Sequence, residues 1–563
     1  MQASAGQPAS RWWAEGDTPV RNDSRVTYLV DGRTVMFMMC CHYLKARQYI
    51  YLANWGLTSG MELVRGSDHI AGPPGSPEQE ALLAQLRVTG LQEADIQFWL
   101  THALSLQAVL AYAVSKGVEV KALIWDASEM FTHCKAQEAH QQLAAAGVTC
   151  LLDDSSRDLL LHPVESLHQK IAIVDGTHAF VGGVDPLIEA KGEFDRWDTP
   201  LHYFMAPLRR TSEGASPHPW HDAHALLEGP AAGDVELNFH QRWNDVVQRH
   251  QLDAHLLVPQ RPLPAPLPTT SIVQVARTIP ENTYSFAQEH GIQGIAQLYA
   301  NALRNIQRFV YLENQYLWLR AFTGIDVALL GFDSPDMEFN LRALGMALQR
   351  GAALSIVLPD HPNAGRAFSD AGLNRIRAEA PRAVEDGRFH AFTLATSARI
   401  GDREHYRPIY VHAKVAIVDD LWTTVGSANL NNRGMRDDAE MNVATLDSSL
   451  AHGLRLMLQA EHLGLVHEHD LYAMSRLLGQ QHQSQAERER ASSVQQYLQE
   501  AIGDPLAALR LMYTRAWENL DRYKAHQPLV GHLLPYLTAD EATQQGLPFN
   551  EAHGWIEEAE PLP

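Results

Sequence analysis

Two stretches of the chain carry the same three residue types at the same spacing. They are His168, Lys170 and Asp175 in LHQKIAIVDG, and His412, Lys414 and Asp419 in VHAKVAIVDD. With 28 histidines a lone His says little, but there are only eight lysines, and Lys414 is the only one between Lys191 and Lys524. At these frequencies about 0.02–0.03 matches to H-x-K-x-x-x-x-D are expected by chance, so two are a strong signal. The residues that follow each histidine read as a buried strand, in which positions i and i+2 project from one face. His168 and Lys170 therefore project together, as do His412 and Lys414, while Gln169 and Ala413 face the other way. An ammonium beside an imidazole suits a phosphate: lysine supplies charge, and histidine a nucleophile or a proton. Two such strands meeting across a pseudo-twofold axis form one site with two His and two Lys.

The elements around the motif are duplicated too. RQYIYLANWGL (47–57) pairs with QRFVYLENQYL (307–317), and SKGVEVKALIWD (115–126) with QRGAALSIVLPD (349–360), in the same order as the motifs. Such self-similarity reads as a duplicated lobe of about 200–250 residues. Short β-branched or aromatic runs alternate with helical stretches such as 78–117 and 291–308, which predicts α/β lobes, each a sheet flanked by helices. The expected organisation is a first lobe over 1–254, a Pro-rich connector over 255–271, a second lobe over 272–470 and a helical appendage over 471–563. The appendage is expected to pack against the lobes, with partner binding as the alternative.

Composition narrows the field. A 563-residue chain with 45% hydrophobic and 20% charged residues is globular, and its net charge of −21 argues against a nucleic-acid partner, which needs a basic face. Cys40, Cys41, Cys134 and Cys150 are too few for a disulfide scaffold, and adjacent cysteines do not suit zinc. No signal peptide and no membrane-spanning run is expected. Any membrane contact is then peripheral, and the default location is cytoplasmic.

With its doubled motif the sequence resembles the phospholipase D superfamily over roughly residues 30–470. GGVDP (182–186), RWD (196–198), PWHDAHALLEGPA (219–231), FHQRWN (239–244), YLENQYL (311–317) and GSANLNNRG (426–434) make it similar to the eukaryotic-type branch. The resemblance implies pseudo-twofold lobes, each a mixed sheet flanked by helices, and hydrolysis of the distal phosphodiester of a glycerophospholipid. Phosphatidic acid and a free head group would form through a phosphohistidine, with transphosphatidylation as a companion reaction. It implies His168 as nucleophile, His412 as acid/base, and Lys170 and Lys414 as counter-charges. Asn429 and Asp185, each 17 residues after its histidine, fall where the family often has a phosphate-contacting amide; Asp185 departs from that pattern. Asp198 and Glu440 are the best matches to the carboxylates that orient the imidazoles, with Asp437 and Asp438 as rivals to Glu440. Asp175 and Asp419 lie at strand ends, where hydrogen bonding to the fold competes with substrate contact. His221, Asp222 and His224 of WHDAH are read as a structural element; no metal and no cofactor are expected.

Two alternatives stay beside this reading: another phosphodiester specificity, of cardiolipin-synthase or nuclease type, and a degenerate scaffold, which two complete motifs oppose. Some bacterial members of the branch leave the cell as effectors by specialised secretion and meet an immunity or delivery partner. The sequence leaves export open beside the cytoplasmic default.

Overall fold

The computed structural model describes residues 11–127, 135–155, 166–189, 194–210, 217–268, 271–287, 290–321, 331–362, 365–551 and 553–557. Cys134 lies outside them; Cys40, Cys41 and Cys150 are buried free thiols.

Strands of the first lobe are β1 (Arg25–Val30), β2 (Tyr49–Asn54), β3 (Glu119–Trp125), β4 (Thr149–Asp153), β5 (Lys170–Val174), β6 (His178–Gly182), the two-residue β7 (Trp220–His221) and β8 (Ala223–Glu228). All but β7 form one sheet in the order β1-β8-β6-β5-β2-β3-β4. The second lobe supplies β9 (Ile272–Ile279), β10 (Ile292–Gln293), β11 (Phe309–Glu313), a hairpin of β12 (Arg320–Ala321) and β13 (Phe332–Asp333), β14 (Ala353–Val357), β15 (Phe389–Ile400) and β16 (Arg403–Pro408). It continues with β17 (Tyr410–Val411), β18 (Val415–Val418), β19 (Trp422–Gly426) and β20 (Glu440–Leu446), and β21 (Leu533–Pro535) joins late. Its sheet runs β10-β9-β20-β19-β18-β11-β14-β15-β16, with β21 on β15.

The two sheets repeat one another strand for strand. β1-β8-β6-β5-β2-β3-β4 matches β9-β20-β19-β18-β11-β14-β15, and each step keeps its sense: antiparallel up to β2 and β11, parallel after them. These are the mixed sheets that the sequence implied. Because the strands are buried on both faces, alternate residues serve different cores. Ile171, Ile173, Val415 and Ile417 join one core shared by the two sheets. Ala172 and Val174 pack under the helices of the first lobe, and Ala416 and Val418 under those of the second.

The N-terminal segment departs from the expected partition, and the region after 470 packs against both lobes. Residues 11–21 belong spatially to the second lobe: Trp12 stacks on Trp422 at 6.5 Å, and Arg21 exchanges backbone hydrogen bonds with Val273. The region after 470 does not stand apart. Helix Asp470–Leu478 packs on β1 of the first lobe, whereas β21 extends the sheet of the second. Among the described residues no helix is long and apolar enough to cross a membrane.

Candidate active site

The motif residues stand where β5 and β18 begin. In the register, Lys170 faces Asn54, the last residue of β2, so the motif lies at the carboxyl end of the parallel strands. Gln169 and Ala413 point the other way, as the strand period requires. Ala413 enters the shared core, and Gln169 donates to the Glu440 carbonyl at 3.0 Å.

Each histidine is positioned by the opposite lobe. The His168 N–H donates to the Ala439 carbonyl at 2.9 Å, and its Nδ1 lies 2.9 Å from Glu440 Oε1. The Ser427 hydroxyl donates to the other Glu440 oxygen. Reciprocally, the His412 N–H donates to the His221 carbonyl at 2.8 Å, where β17 pairs in parallel with β7, and its Nδ1 lies 2.7 Å from Asp222 Oδ2. With both Nδ1 atoms engaged, each Nε2 is left for substrate. The imidazole centroids are 6.5 Å apart, a span one phosphorus centre can bridge.

The lysines sit deeper. Lys170 is 2% and Lys414 0% exposed, whereas the His168 side chain is 15% exposed, so phosphate would enter over His168 and meet the ammonium groups below. Each Nζ donates to the carbonyl of its own motif histidine. Lys414 also donates to Gln315 Oε1 at 3.1 Å, and Asn429 Nδ2 donates to the same oxygen at 3.1 Å. In the first lobe Trp55 takes the place of Gln315. It stacks on Trp125 at 6.0 Å, stands edge-on to His168 at 6.3 Å and lies 5.8 Å below the Lys170 ammonium. Burial, then Lys170 and Lys414, hold the His168 imidazole well below its ordinary pKa. His412 is lowered likewise by burial, then by Lys414, Arg196 and Lys170. Both are neutral bases in the free protein.

Several expected site residues lie elsewhere. Asp198 touches neither motif imidazole; it accepts from Arg209 Nη1 at 3.1 Å and the Trp220 N–H at 2.9 Å, and hydrogen-bonds His202 Nδ1 at 3.1 Å. The carboxylate on His412 is Asp222, which the sequence reading left as structural. Asp175 and Asp419 are remote, because five residues of extended strand carry them about 16 Å past the lysines. There they bind the fold: Asp175 accepts the backbone N–H groups of Arg47, Gln48 and Tyr49, and Asp419 those of Gln307, Arg308 and Phe309. Asp185 and Asn429 do stand beside Lys170 and Lys414. Asp437 instead accepts from Asn432 Nδ2, and Asp438 pairs with Arg433.

The topology held a signal for Asp222. Glu440 lies two residues before Asn442, which pairs with Gly426; Asp222 lies two residues before His224, which pairs with Gly182. The two carboxylates are equivalent positions of the duplicated sheet, hidden by the longer stretch between β6 and β8.

Behind β7, four buried residues bring donor atoms within 4.8 Å of one another: Asp31, His202, His221 and Glu461. His221 also joins Glu313 and His462 in a second group. Asp31 Oδ2 and Glu461 Oε2 are buried without a hydrogen-bond partner, and a set of two imidazoles and two carboxylates is of the kind that holds a divalent transition-metal ion. Their charges also attract protons: against burial, Asp31, Asp198 and Glu461 push His202 up to about 10. The sequence reading expected no metal ligands here. His221 belongs to this donor set, while His224 Nδ1 accepts the Val184 N–H at 3.3 Å.

Fold and site together define a duplicated α/β protein whose halves share one centre of two imidazoles and two ammonium groups. Residues 98–321 match the family profile described as phospholipase D, and residues 320–460 that of the cardiolipin synthase, PLD-like domain. Phospholipase D alpha 1 of Carica papaya is 25% identical over 544 aligned residues, covering 75% of this chain and 62% of that protein. Its counterpart in Cynara cardunculus is 26% identical over 546, with the same coverage. The chain thus spans 62% of the length of these relatives. Among solved structures, phosphatidylserine synthase of Haemophilus influenzae Rd KW20 is similar at 12% identity and a TM-score of 0.43, over 90% of this chain and 95% of that one. The chain belongs to the phospholipase D superfamily.

Proposed function

We propose that the chain is a phospholipase D that cleaves the distal phosphodiester of glycerophospholipids. The observation that carries this reading is the pair of imidazoles 6.5 Å apart, each held at Nδ1 by a carboxylate of the other lobe, above two buried lysines. His168 Nε2 attacks phosphorus, and the bond to the head-group oxygen breaks as His412 delivers a proton to it. Lys170 and Lys414 stabilise charge growing on the nonbridging oxygens, aided by the Asn429 amide. Asp222 and Glu440 stabilise the imidazolium forms. Both imidazoles are neutral in the free protein, so His412 takes up its proton as the anionic phosphate enters and offsets the lysine charges. In the second half His412 deprotonates water, which attacks the phosphohistidine and releases phosphatidic acid. A primary alcohol that fits the vacated head-group space is activated in the same way and gives a phosphatidylalcohol. Substrate in a bilayer implies peripheral contact with its surface.

The test is incubation with phosphatidylcholine, phosphatidylethanolamine and phosphatidylglycerol vesicles, with and without ethanol, reading phosphatidic acid, phosphatidylethanol and head groups. We expect head-group release, with phosphatidylethanol rising with ethanol. Release without any phosphatidylethanol removes the covalent step, and no release from any lipid refutes the reading. The cardiolipin-synthase-type profile over 320–460 favours a second reading, phosphatidyl transfer between lipids, which the same assay detects as cardiolipin from phosphatidylglycerol.

A further inference from the structure

The half-sites are built alike but charged differently. In the second lobe the side chains that hydrogen-bond at Lys414 are neutral amides, Gln315 and Asn429, while the carboxylates that act on it, Asp222 and Glu440, are those that hold the imidazoles. At the equivalent place in the first lobe stands Asp185, 2% exposed, with Oδ2 3.4 Å from the Lys170 ammonium. Its other oxygen accepts from Asn54 Nδ2 at 2.9 Å, which fixes the carboxylate against the lysine. Burial pushes the Asp185 carboxyl up, and Lys170 and Asn54 oppose that shift. The nearby cations are also matched: Arg196 pairs with Glu189 at 2.6 Å and Arg433 with Asp438 at 2.9 Å. Among the described residues Lys414 makes no ion pair, and Asp222 and Glu440 only oppose, from beyond ion-pair distance, the burial that lowers its pKa.

We propose that Asp185 tunes the shared site toward a phosphodiester, by compensating Lys170 and so lowering the positive charge that the site presents to phosphate. The ligand's identity rests on the phospholipase reading; the charge argument rests on the geometry. A phosphodiester carries one negative charge, whereas a phosphomonoester such as phosphatidic acid carries up to two near neutral pH. A site with two uncompensated lysines would favour the dianion and retain its own product. With Lys170 compensated, attraction for the diester is kept and extra attraction for the monoester is withheld. Asp185 is therefore a positioning residue, acting on substrate selection and product release through Lys170.

The test measures binding apart from turnover. Inorganic phosphate and dimethyl phosphate are titrated into the full-length protein by calorimetry at slightly alkaline pH, with lipid turnover measured in parallel. Asp185→Asn should tighten inorganic phosphate by about tenfold or more, and dimethyl phosphate by clearly less, because the added net charge acts at short range in a buried site. Turnover should fall as phosphatidic acid is retained. Asn429→Asp, the reciprocal change, should move the phosphate-to-diester ratio the other way, and it decides the matter should the first variant not fold. An unchanged ratio in the variants, with wild-type turnover present, overturns this inference and leaves the phospholipase reading standing. A wild type that neither binds either ligand nor releases head group overturns both.

Discussion

Replacing Asp222 by Asn should remove most of the turnover while leaving the fold in place. Asp222 is fully buried, its Oδ2 lies 2.7 Å from His412 Nδ1, and its Oδ1 accepts the Ala223 N–H at 2.8 Å. An amide keeps the shape but not the charge. When His412 takes a proton, the imidazolium then stands buried without its counter-charge. Breaking one partner of such a pair costs about 3–5 kcal/mol. If that cost falls wholly on the transition state, the rate drops by about 10²–10⁴. The remaining activity should also show a shifted pH profile: without Asp222 the imidazolium is less stable, so the limb that reports His412 protonation moves to lower pH. The assay is head-group release from vesicles across pH, with circular dichroism to establish the fold. Asp198→Asn is the matched control, because Asp198 contacts His202, Arg209 and the Trp220 backbone but no motif imidazole. It should lower the melting temperature and leave the pH profile of the folded protein unchanged. An Asp222→Asn protein of normal fold whose turnover stays within about tenfold of wild type would refute the assignment, since a lost orienting carboxylate costs far more.

Asp175→Ala should act on stability and not on chemistry. It strips hydrogen bonds from the Arg47, Gln48 and Tyr49 amides, at about 2–4 kcal/mol by denaturant titration, and kcat of the folded protein should hold. Loss of kcat without loss of stability would return this aspartate to the catalytic set. Asp437 offers a pH prediction, because burial raises its carboxyl to about 6. Its folded-state pKa lies above the unfolded value near 3.9, so its contribution is present below about pH 4 and is lost as pH rises through 6. Asp437→Asn should therefore gain about 1–3 kcal/mol over wild type at pH 7 and nothing at pH 4; a gain independent of pH would contradict that origin.

What could be read from the sequence follows from where the forces are local. Buried strands leave short apolar runs, and a duplicated lobe leaves them twice, so the α/β lobes and the pairing of His168 with Lys170 and His412 with Lys414 were legible from period and repetition. Glu440 was reachable through resemblance, with Asp437 and Asp438 as rivals, because the stretch between β19 and β20 is short beside that between β6 and β8. Asp222 was not, because the long stretch between β6 and β8 hides its equivalence, and Asp198 in RWD offered a plausible substitute. The motif spacing gave the shared direction of His and Lys. It also put Asp175 and Asp419 at strand ends, where hydrogen bonding to the fold was already the competing role: the strand that carries His and Lys into the shared site carries these aspartates away from it. β21 has three residues, too few to mark a strand, so its place on β15 was invisible. The donors Asp31, His202, His221 and Glu461 come from four separate segments, and docking of the lobes adds Glu461 to the three of the first lobe.

The proposed chemistry depends on that docking. Each lobe supplies one His and one Lys, yet neither supplies the carboxylate its own histidine needs: Glu440 serves His168 and Asp222 serves His412. A small slide of one lobe on the other would lengthen both Nδ1 contacts at once and release both imidazoles. The fold resists such a slide in the shared apolar core and with elements that span the seam. Leu167 and Ala439 pair across it on one side, and β7 and β17 on the other. The C-terminal region holds both ends, since Gln481 donates to Thr27 of β1 at 3.1 Å and β21 is built into the opposite sheet. Duplication alone would have given two half-sites able to drift independently. Exchange of the orienting carboxylates makes docking of the lobes a condition for either imidazole to be held, and so for the proposed reaction.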